Sequence, residues 1–196
     1  MKFDRKMDFT NEQNKLFIVN EDGKEKELWD SRSVALDCVI LAWTETSEEP
    51  YVLISERGPA AADFQGYKNI VCGYLDRNET GTMGIIREVW EEVGINLIQL
   101  DEELETINDL EQPWYVNTDP SSNRQNVSLR YGICILVNTI DELPETSTEN
   151  NEKEGEVTNI EWIPFKDVDN YKWAFNHNNL IKEYLDFVLI KNDMGL

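Results

Sequence analysis

The chain has 196 residues, with 39 Asp and Glu against 18 Lys and Arg, giving a net charge of −21. That size fits one domain with a small appendage, and no run of 18 apolar residues offers a membrane span. The acidity excludes tight non-specific binding to nucleic acid, which depends on neutralising phosphates with Lys and Arg, and it repels an anionic small substrate at long range, so any site for one must recover affinity locally.

In chain order, Leu16–Val19 and Glu25–Trp29 flank the turn signal Asn20-Glu21-Asp22-Gly23 and predict an N-terminal hairpin. Val34–Trp43 is an apolar, β-branched run that reads as a buried central strand. Tyr51–Ser55 is a second strand, stopping at Glu56-Arg57-Gly58-Pro59, and Asn69–Leu75 a short third. Leu97–Leu100 and Trp114–Val116 are short apolar segments that periodicity leaves unassigned. Ser128–Val137 is a strong strand, Val157–Ile163 alternates up to Pro164, and Asn178–Lys191 is helical by pattern. Strands and helices interleave, so an α/β fold with a sheet between helices is expected, split as 1–32 (extension or hairpin) and 33–196 (main domain). The acidic stretches Asp101–Glu111 and Asp141–Glu156 read as solvated loops.

Three cysteines, Cys38, Cys72 and Cys134, read as small buried thiols and fit a reducing cytoplasm. The N-terminus lacks the apolar core of a signal peptide. With a single histidine and no Cys-x-x-Cys, a structural zinc site is not expected.

The stretch Gly73–Ile95 carries the chemistry. Glu88, Glu91 and Glu92 are spaced i, i+3, i+4 and share a helix face. At roughly 100° per residue, Met83, Ile85, Ile86, Val89, Trp90 and Val93 fall on the opposite arc. Gly94 stands where a helix C-cap belongs, and Gly84 lies among the glutamates, where bare backbone would leave room for a ligand. Three like charges on one face repel and favour an interleaved cation; hard divalent ions take carboxylate oxygens and share them with substrate phosphates.

The spacing Gly73, Glu79, Arg87-Glu88, Glu91-Glu92, Gly94 and an aliphatic fills every fixed position of the Nudix box, so the chain resembles the Nudix hydrolases. The resemblance implies an α/β/α sandwich with a mixed sheet, binding of Mg²⁺ or Mn²⁺, and hydrolysis of a pyrophosphate bond in a nucleoside diphosphate linked to another group. Glu88, Glu91 and Glu92, with the carbonyl of Gly73, match the metal site. The same glutamates and Arg87 make the implied catalytic set, and Glu79 and Arg87 match a buried pair bracing loop against helix. Two departures stand out: Val71-Cys72 replaces the common Pro-Gly before the box, and glycine replaces the usual alanine at Gly84.

Further substrate-binding candidates are Arg57, at a strand end where similar proteins reach phosphate, and Arg130, near the start of the strong strand with Arg124 just before it. Glu154 and Glu156 lie where related enzymes bring a carboxylate to the metals or to the attacking water. Trp114 and Tyr115 read as core or rim packing rather than base stacking, and His177 as a capping or packing residue. The implied partner is a small nucleotide, with no nucleic-acid polymer and no membrane, and a homodimer is left open. ADP-ribose or nucleotide-sugar substrates are favoured by the long stretch Asp101–Arg130; the alternatives are a nucleoside triphosphate pyrophosphohydrolase and a non-catalytic nucleotide-sensing module.

Overall fold

The structure is a computed structural model that describes residues 14–103, 105–108, 110–120 and 125–194. The chain divides into two compact units between Ser33 and Val34. The first is a hairpin in which β1 (Leu16–Glu21) pairs antiparallel with β2 (Lys24–Trp29). Asp22 and Gly23 both take left-handed backbone angles, φ 52° and 77°, as the two-residue turn matching strand twist requires.

The second unit is built on β3 (Val34–Thr44), which runs parallel to β9 (Val127–Val137) along all 11 residues. β4 (Tyr51–Arg57) and β6 (Val71–Tyr74) pair antiparallel with β3, and β10 (Val157–Pro164) extends the sheet beyond β4. β5 (Lys68–Asn69) pairs with β4, while β7 (Glu105–Asn108) and β8 (Tyr115–Asn117) pair with β9. The helices are α1 (Gly81–Val93), α2 (Leu97–Glu103) and α3 (His177–Met194). The sheet is therefore mixed, as the resemblance implies.

Side chains alternate across a strand, and here the alternation sorts two cores. Leu36, Cys38, Ile40 and Ala42 of β3 join Tyr131, Ile133 and Ile135 of β9 against Ile85, Val89 and Val93 of α1. The intervening Val39 and Leu41, with Cys134, pack on Leu180, Ile181 and Tyr184 of α3. Each of these buried aliphatics contributes about 1.5–3 kcal/mol. By the same parity Asp37, Ser128 and Arg130 project to the α3 side, at the strand ends where that core gives out.

Several sequence expectations change. The expected strand Asn69–Leu75 breaks at Ile70 into β5 and β6, which pair with different partners. Leu97–Leu100 belongs to a helix. The acidic stretch Asp101–Glu111 is not wholly loop, because the edge of the long β9 recruits Glu105–Asn108 as a strand. Asp141–Glu156 is stitched to α1: Ser147 N–H donates to Val93 O (3.0 Å) and Asn151 Nδ2 to Glu91 O (2.8 Å), satisfying carbonyls that a helix end leaves unpaired. Trp114 packs on Tyr184 and Phe187 and donates from Nε1 to Tyr131 O, a core role as expected. Arg124 lies outside the described residues.

β9 and α3 approach so closely at Gly132 that an added Cβ would fall 2.0 Å from the Tyr184 ring. Gly132→Ala is therefore expected to lower unfolding free energy by about 1–3 kcal/mol, the scale of core overpacking, in urea melts; an unchanged midpoint would show that Tyr184 swings aside freely.

Candidate active site

Helix α1 begins at Thr80, whose hydroxyl accepts from Met83 N–H (3.2 Å), and ends at Gly94, left-handed at φ 75° as a C-cap glycine should be. Its orientation differs from the hydrophobic arc. Met83 and Trp90 are exposed at 56% and 43%, whereas Glu88 is only 8% exposed. The helix is turned so that one edge of its acidic face, not the whole apolar arc, meets the sheet.

Close contact explains two glycines. A Cβ at Gly73 would sit 2.1 Å from Glu88 Oε1, so only glycine on β6 admits that carboxylate. A Cβ at Gly84 would meet Leu36 Cδ1 at 2.5 Å and Glu79 Oε2 at 3.0 Å. Gly84 thus serves close packing of α1 on the sheet and its loop, not the ligand clearance expected from its place among the glutamates.

Burial pushes Glu88 up to about 7 against the pull of Arg87. Burial first, and the Glu88 charge second, push Glu92 well above the usual carboxylate range, although Cys72 N–H donates to Glu92 Oε2 at 3.0 Å. Arg87 holds the loop to the helix: Nε and Nη2 bond both oxygens of Glu79 (2.9 and 3.0 Å), Nη1 bonds Glu88 (2.8 Å) and Glu91 (3.0 Å), and Nη2 also reaches Tyr74 O (3.0 Å). The guanidinium lowers Glu79 from the ordinary carboxylate value, chiefly through this hydrogen bonding. The loop–helix brace expected from the box spacing is thus present as a two-toothed ion pair, partly exposed.

Glu88, Glu91 and Glu92 line a cavity of about 260 Å³ with Gly73, Arg87 and Glu156. Glu156 arrives from the loop before β10, where Gly58 N–H donates to its carbonyl at 2.8 Å. A Cβ at Gly58 would come 2.2 Å from Gly155 O, so the two backbones touch. Glu154 is exposed and lines neither this cavity nor its neighbour.

The neighbouring cavity, about 490 Å³, shares Cys72, Gly73, Tyr74 and Glu156 with the first. Both expected arginines line it, and both are already paired. Arg57 donates to Asp63 O (2.9 Å) and Asp63 Oδ1 (3.0 Å) and lies over Phe175. Arg130 bonds Glu183 Oε2 (2.7 Å) and lies over the Tyr115 ring. Sequence reasoning missed Asp37, which lines this cavity beside Ser128 and His177. Burial pushes the Asp37 carboxyl up; the Ser128 hydroxyl and the Arg130 charge oppose it. A carboxylate inside the apolar run Val34–Trp43 was the available signal, since a buried polar group is the informative departure from a core pattern. His177 is buried and packs as expected, its Nδ1 accepting Ile70 N–H at 3.3 Å.

Oxygen donors of this kind suit Mg²⁺ or Mn²⁺. Among the described residues no three His, Cys, Asp or Glu side chains form a closed cage; Glu91 is drawn to Arg87 and Glu92 to Cys72. Mg²⁺ commonly takes one or two carboxylates and completes its shell with water and substrate phosphate. Glu88 is buried, Glu92 partly so, and the charge of Glu88 weighs against that of Glu92, so these two carboxylates are the candidates for such a site.

The family model described as NUDIX domain matches residues 33–184, and the chain belongs to that family. It is accordingly a Nudix-type pyrophosphohydrolase. No curated protein sequence matches the chain. Among solved structures, the NUDIX domain of Shewanella oneidensis NrtR, complexed with ADP ribose, is similar at a TM-score of 0.56 and 16% identity, over 81% of this chain and 90% of that one. An Ap4A hydrolase of C. elegans has a TM-score of 0.55 at 13% identity, over 80% and 98% of the two chains. A bifunctional NMN adenylyltransferase/ADP ribose pyrophosphatase of Francisella tularensis, complexed with AMP and Mn ion, has a TM-score of 0.54 at 20% identity, covering 79% of this chain and 41% of its own. At these identities the likeness shows a shared fold.

Removing Arg87 would leave Glu79, Glu88 and Glu91 mutually repelling and the Tyr74 carbonyl without its donor. Arg87→Ala is expected to cost about 1–3 kcal/mol, between the values for exposed and buried pairs. A thermal melt superimposable on the parent's would show the brace to be dispensable.

Proposed function

We propose that this chain hydrolyses a pyrophosphate bond in a nucleoside diphosphate linked to another group, of the ADP-ribose or nucleotide-sugar kind, with Mg²⁺ or Mn²⁺ held by Glu88, Glu91, Glu92 and the carbonyl of Gly73. The observation that carries this reading is the pair of adjoining cavities joined along Cys72–Tyr74, one acidic and under α1, the other lined by hydroxyl, amide, imidazole and carboxylate groups with two carboxylate-paired arginines. The acidic one suits the bridging phosphates with their cations, and the other suits a neutral, hydroxyl-bearing end group. A triphosphate tail in the second cavity would face Asp37, Asp63 and Asp119. The two arginines there are each bonded to a carboxylate already, which argues against the triphosphate alternative. The structures solved with ADP ribose and with AMP and Mn ion point to the same ligand chemistry.

When bound, the divalent ion would neutralise phosphate oxygens and acidify a water. The chain's own residues supply the rest. Arg87 keeps Glu88 and Glu91 in place. Glu92 is aimed at the cavity by Cys72 N–H. Glu156 stands close enough for its charge to weigh on Glu92, so it and the box glutamates are the candidates to accept the proton of the attacking water. Arg57 lines the second cavity with its guanidinium held by Asp63, and so helps to shape the end-group side of the site.

Purified protein screened against nucleotide conjugates and triphosphates is expected to release two phosphate-bearing fragments from a conjugate, to stop on chelation and to recover with Mg²⁺ or Mn²⁺. Undiminished hydrolysis in excess chelator, or turnover of triphosphates alone, would overturn the reading. Glu91→Gln and Glu92→Gln are expected to lose at least about 10²-fold in turnover, the scale of a lost base or displaced ligand. Glu92→Gln keeps an acceptor for Cys72 N–H and removes a buried like charge, so its metal-free melt is expected no lower than the parent's.

A further inference from the structure

At the floor of the second cavity, two groups face each other across a gap that neither closes. His177 Nε2 and Asp37 Oδ1 are 3.9 Å apart, beyond hydrogen-bond reach. Each is fixed from behind. Ile70 N–H donates to His177 Nδ1, so in the neutral ring the proton resides on Nε2 and points toward Asp37. The Ser128 hydroxyl donates to Asp37 Oδ2, leaving Oδ1 as a free acceptor among the described residues. Burial, then the charges of Arg57 and Arg130, hold His177 down to about 3, so this is not an ion pair at neutral pH. Nearby, Arg130 Nε is buried without a hydrogen-bond partner among the described residues, its guanidinium covered by the Tyr115 ring.

The gap defines what fills it. An atom about 2.8 Å from both groups must accept from Nε2–H and donate to Oδ1. A phosphate oxygen cannot donate to a carboxylate, and an ammonium cannot accept from an N–H. A hydroxyl does both, whether a sugar's or that of a water it would displace. We propose that Asp37 and His177, backed by Ser128 and Ile70, read a single sugar hydroxyl of the substrate, which donates to Asp37 Oδ1 and accepts from His177 Nε2–H. This rests on the nucleotide-conjugate reading above and narrows it, because the group in the second cavity then carries a ribose or related ring. Parity places the pair: Asp37 projects from β3 on the α3 side, where His177 opens α3, while its register partner Cys72 leads on β6 to the metal-site glycine. One strand thus separates the hydroxyl reader from the acidic cavity.

The test does not require hydrolysis. His177 is the chain's only histidine, so its ring nitrogens give a unique NMR signature. In ¹⁵N-labelled protein the Nε2–H tautomer is expected at neutral pH. Titration follows, in the presence of Mg²⁺ throughout, with AMP and ribose 5-phosphate, the halves that a conjugate would yield, and with their 2-deoxy and 3-deoxy forms (2′ and 3′ for AMP). At least one parent probe is expected to shift the His177 signals, and one of its deoxy forms to bind at least about tenfold more weakly, the scale of hydrogen bonding to a charged group. Asp37→Asn, which keeps an acceptor oxygen but removes its charge, is checked by thermal melt and expected to shrink that difference, as is Ser128→Ala. An Nδ1–H or doubly protonated ring, probes that leave His177 unmoved, or a folded Asp37→Asn that discriminates as fully as the parent would each overturn the proposal. If Asp37→Asn fails to fold, the tautomer and the deoxy series on the parent decide it. Loss of the pyrophosphohydrolase reading would appear separately, as absent turnover with an intact His177 response.

Discussion

The Glu88 carboxylate lies against the bare α-carbon of Gly73, and much of the site follows from that contact. A buried carboxylate is costly unless it is paired. Glu88 is paired by the neighbouring guanidinium of Arg87, which also fastens Glu79 and the Tyr74 carbonyl. The helix can present Glu88 there only by rotating away from its own apolar arc. That rotation leaves Met83 and Trp90 in solvent and brings Gly84 onto Leu36. Stability is given up along α1 to hold negative charge at the mouth of β6, a trade that makes sense where a cation and phosphate complete the arrangement.

The sheet supplies the second constraint. β3 is covered on both faces, so its side chains alternate between the α1 and α3 cores. At the end of β3 near β6 the alternation continues but the cores do not. Leu36 still serves α1, and Asp37 faces the opening beside α3. The same strand therefore backs the glutamate-bearing helix α1 with one residue and furnishes a polar cavity floor with the next. The backbone contact between Gly58 and Gly155 closes the remaining side and sets Glu156 between the two cavities.

The sequence disclosed the parts of this that depend on local pattern. The box spacing names Gly73, Glu79, Arg87 and the three glutamates, and the hairpin turn at Asp22-Gly23 is written in its residue types. Long apolar runs mark β3 and β9. What stayed hidden depends on pairing at a distance. β7 pairs on Ile133–Leu136, the stretch of the β9 edge that the short β8 leaves open, a partnership that the residue types of Glu105–Asn108 do not announce. The rotation of α1 is invisible in the spacing of its apolar residues, which carries no sign that one edge of the polar face is to be buried. Asp37, Ser128 and His177 are far apart along the chain, and only the parallel register of β3 with β9, together with the start of α3, brings them together. Of the two carboxylates that spacing left undecided, Glu154 is turned to solvent while Glu156 lines both cavities, a distinction made by Gly155 at φ 78° between them.

Net charge then bears on how such a site works. A chain carrying −21 repels a pyrophosphate at a distance, and screening at physiological salt confines that repulsion to about 8 Å. Inside that range the local groups decide. The arginines of the second cavity are balanced by Asp63 and Glu183, so they supply geometry and hydrogen-bond donors more than net positive charge. On the proposed reading, countercharge for the phosphates comes from divalent ions at Glu88, Glu91 and Glu92, and recognition of the end group from neutral hydrogen bonding. An anionic substrate without a divalent ion would therefore meet a site that repels it, which ties binding, and not only the chemical step, to the metal.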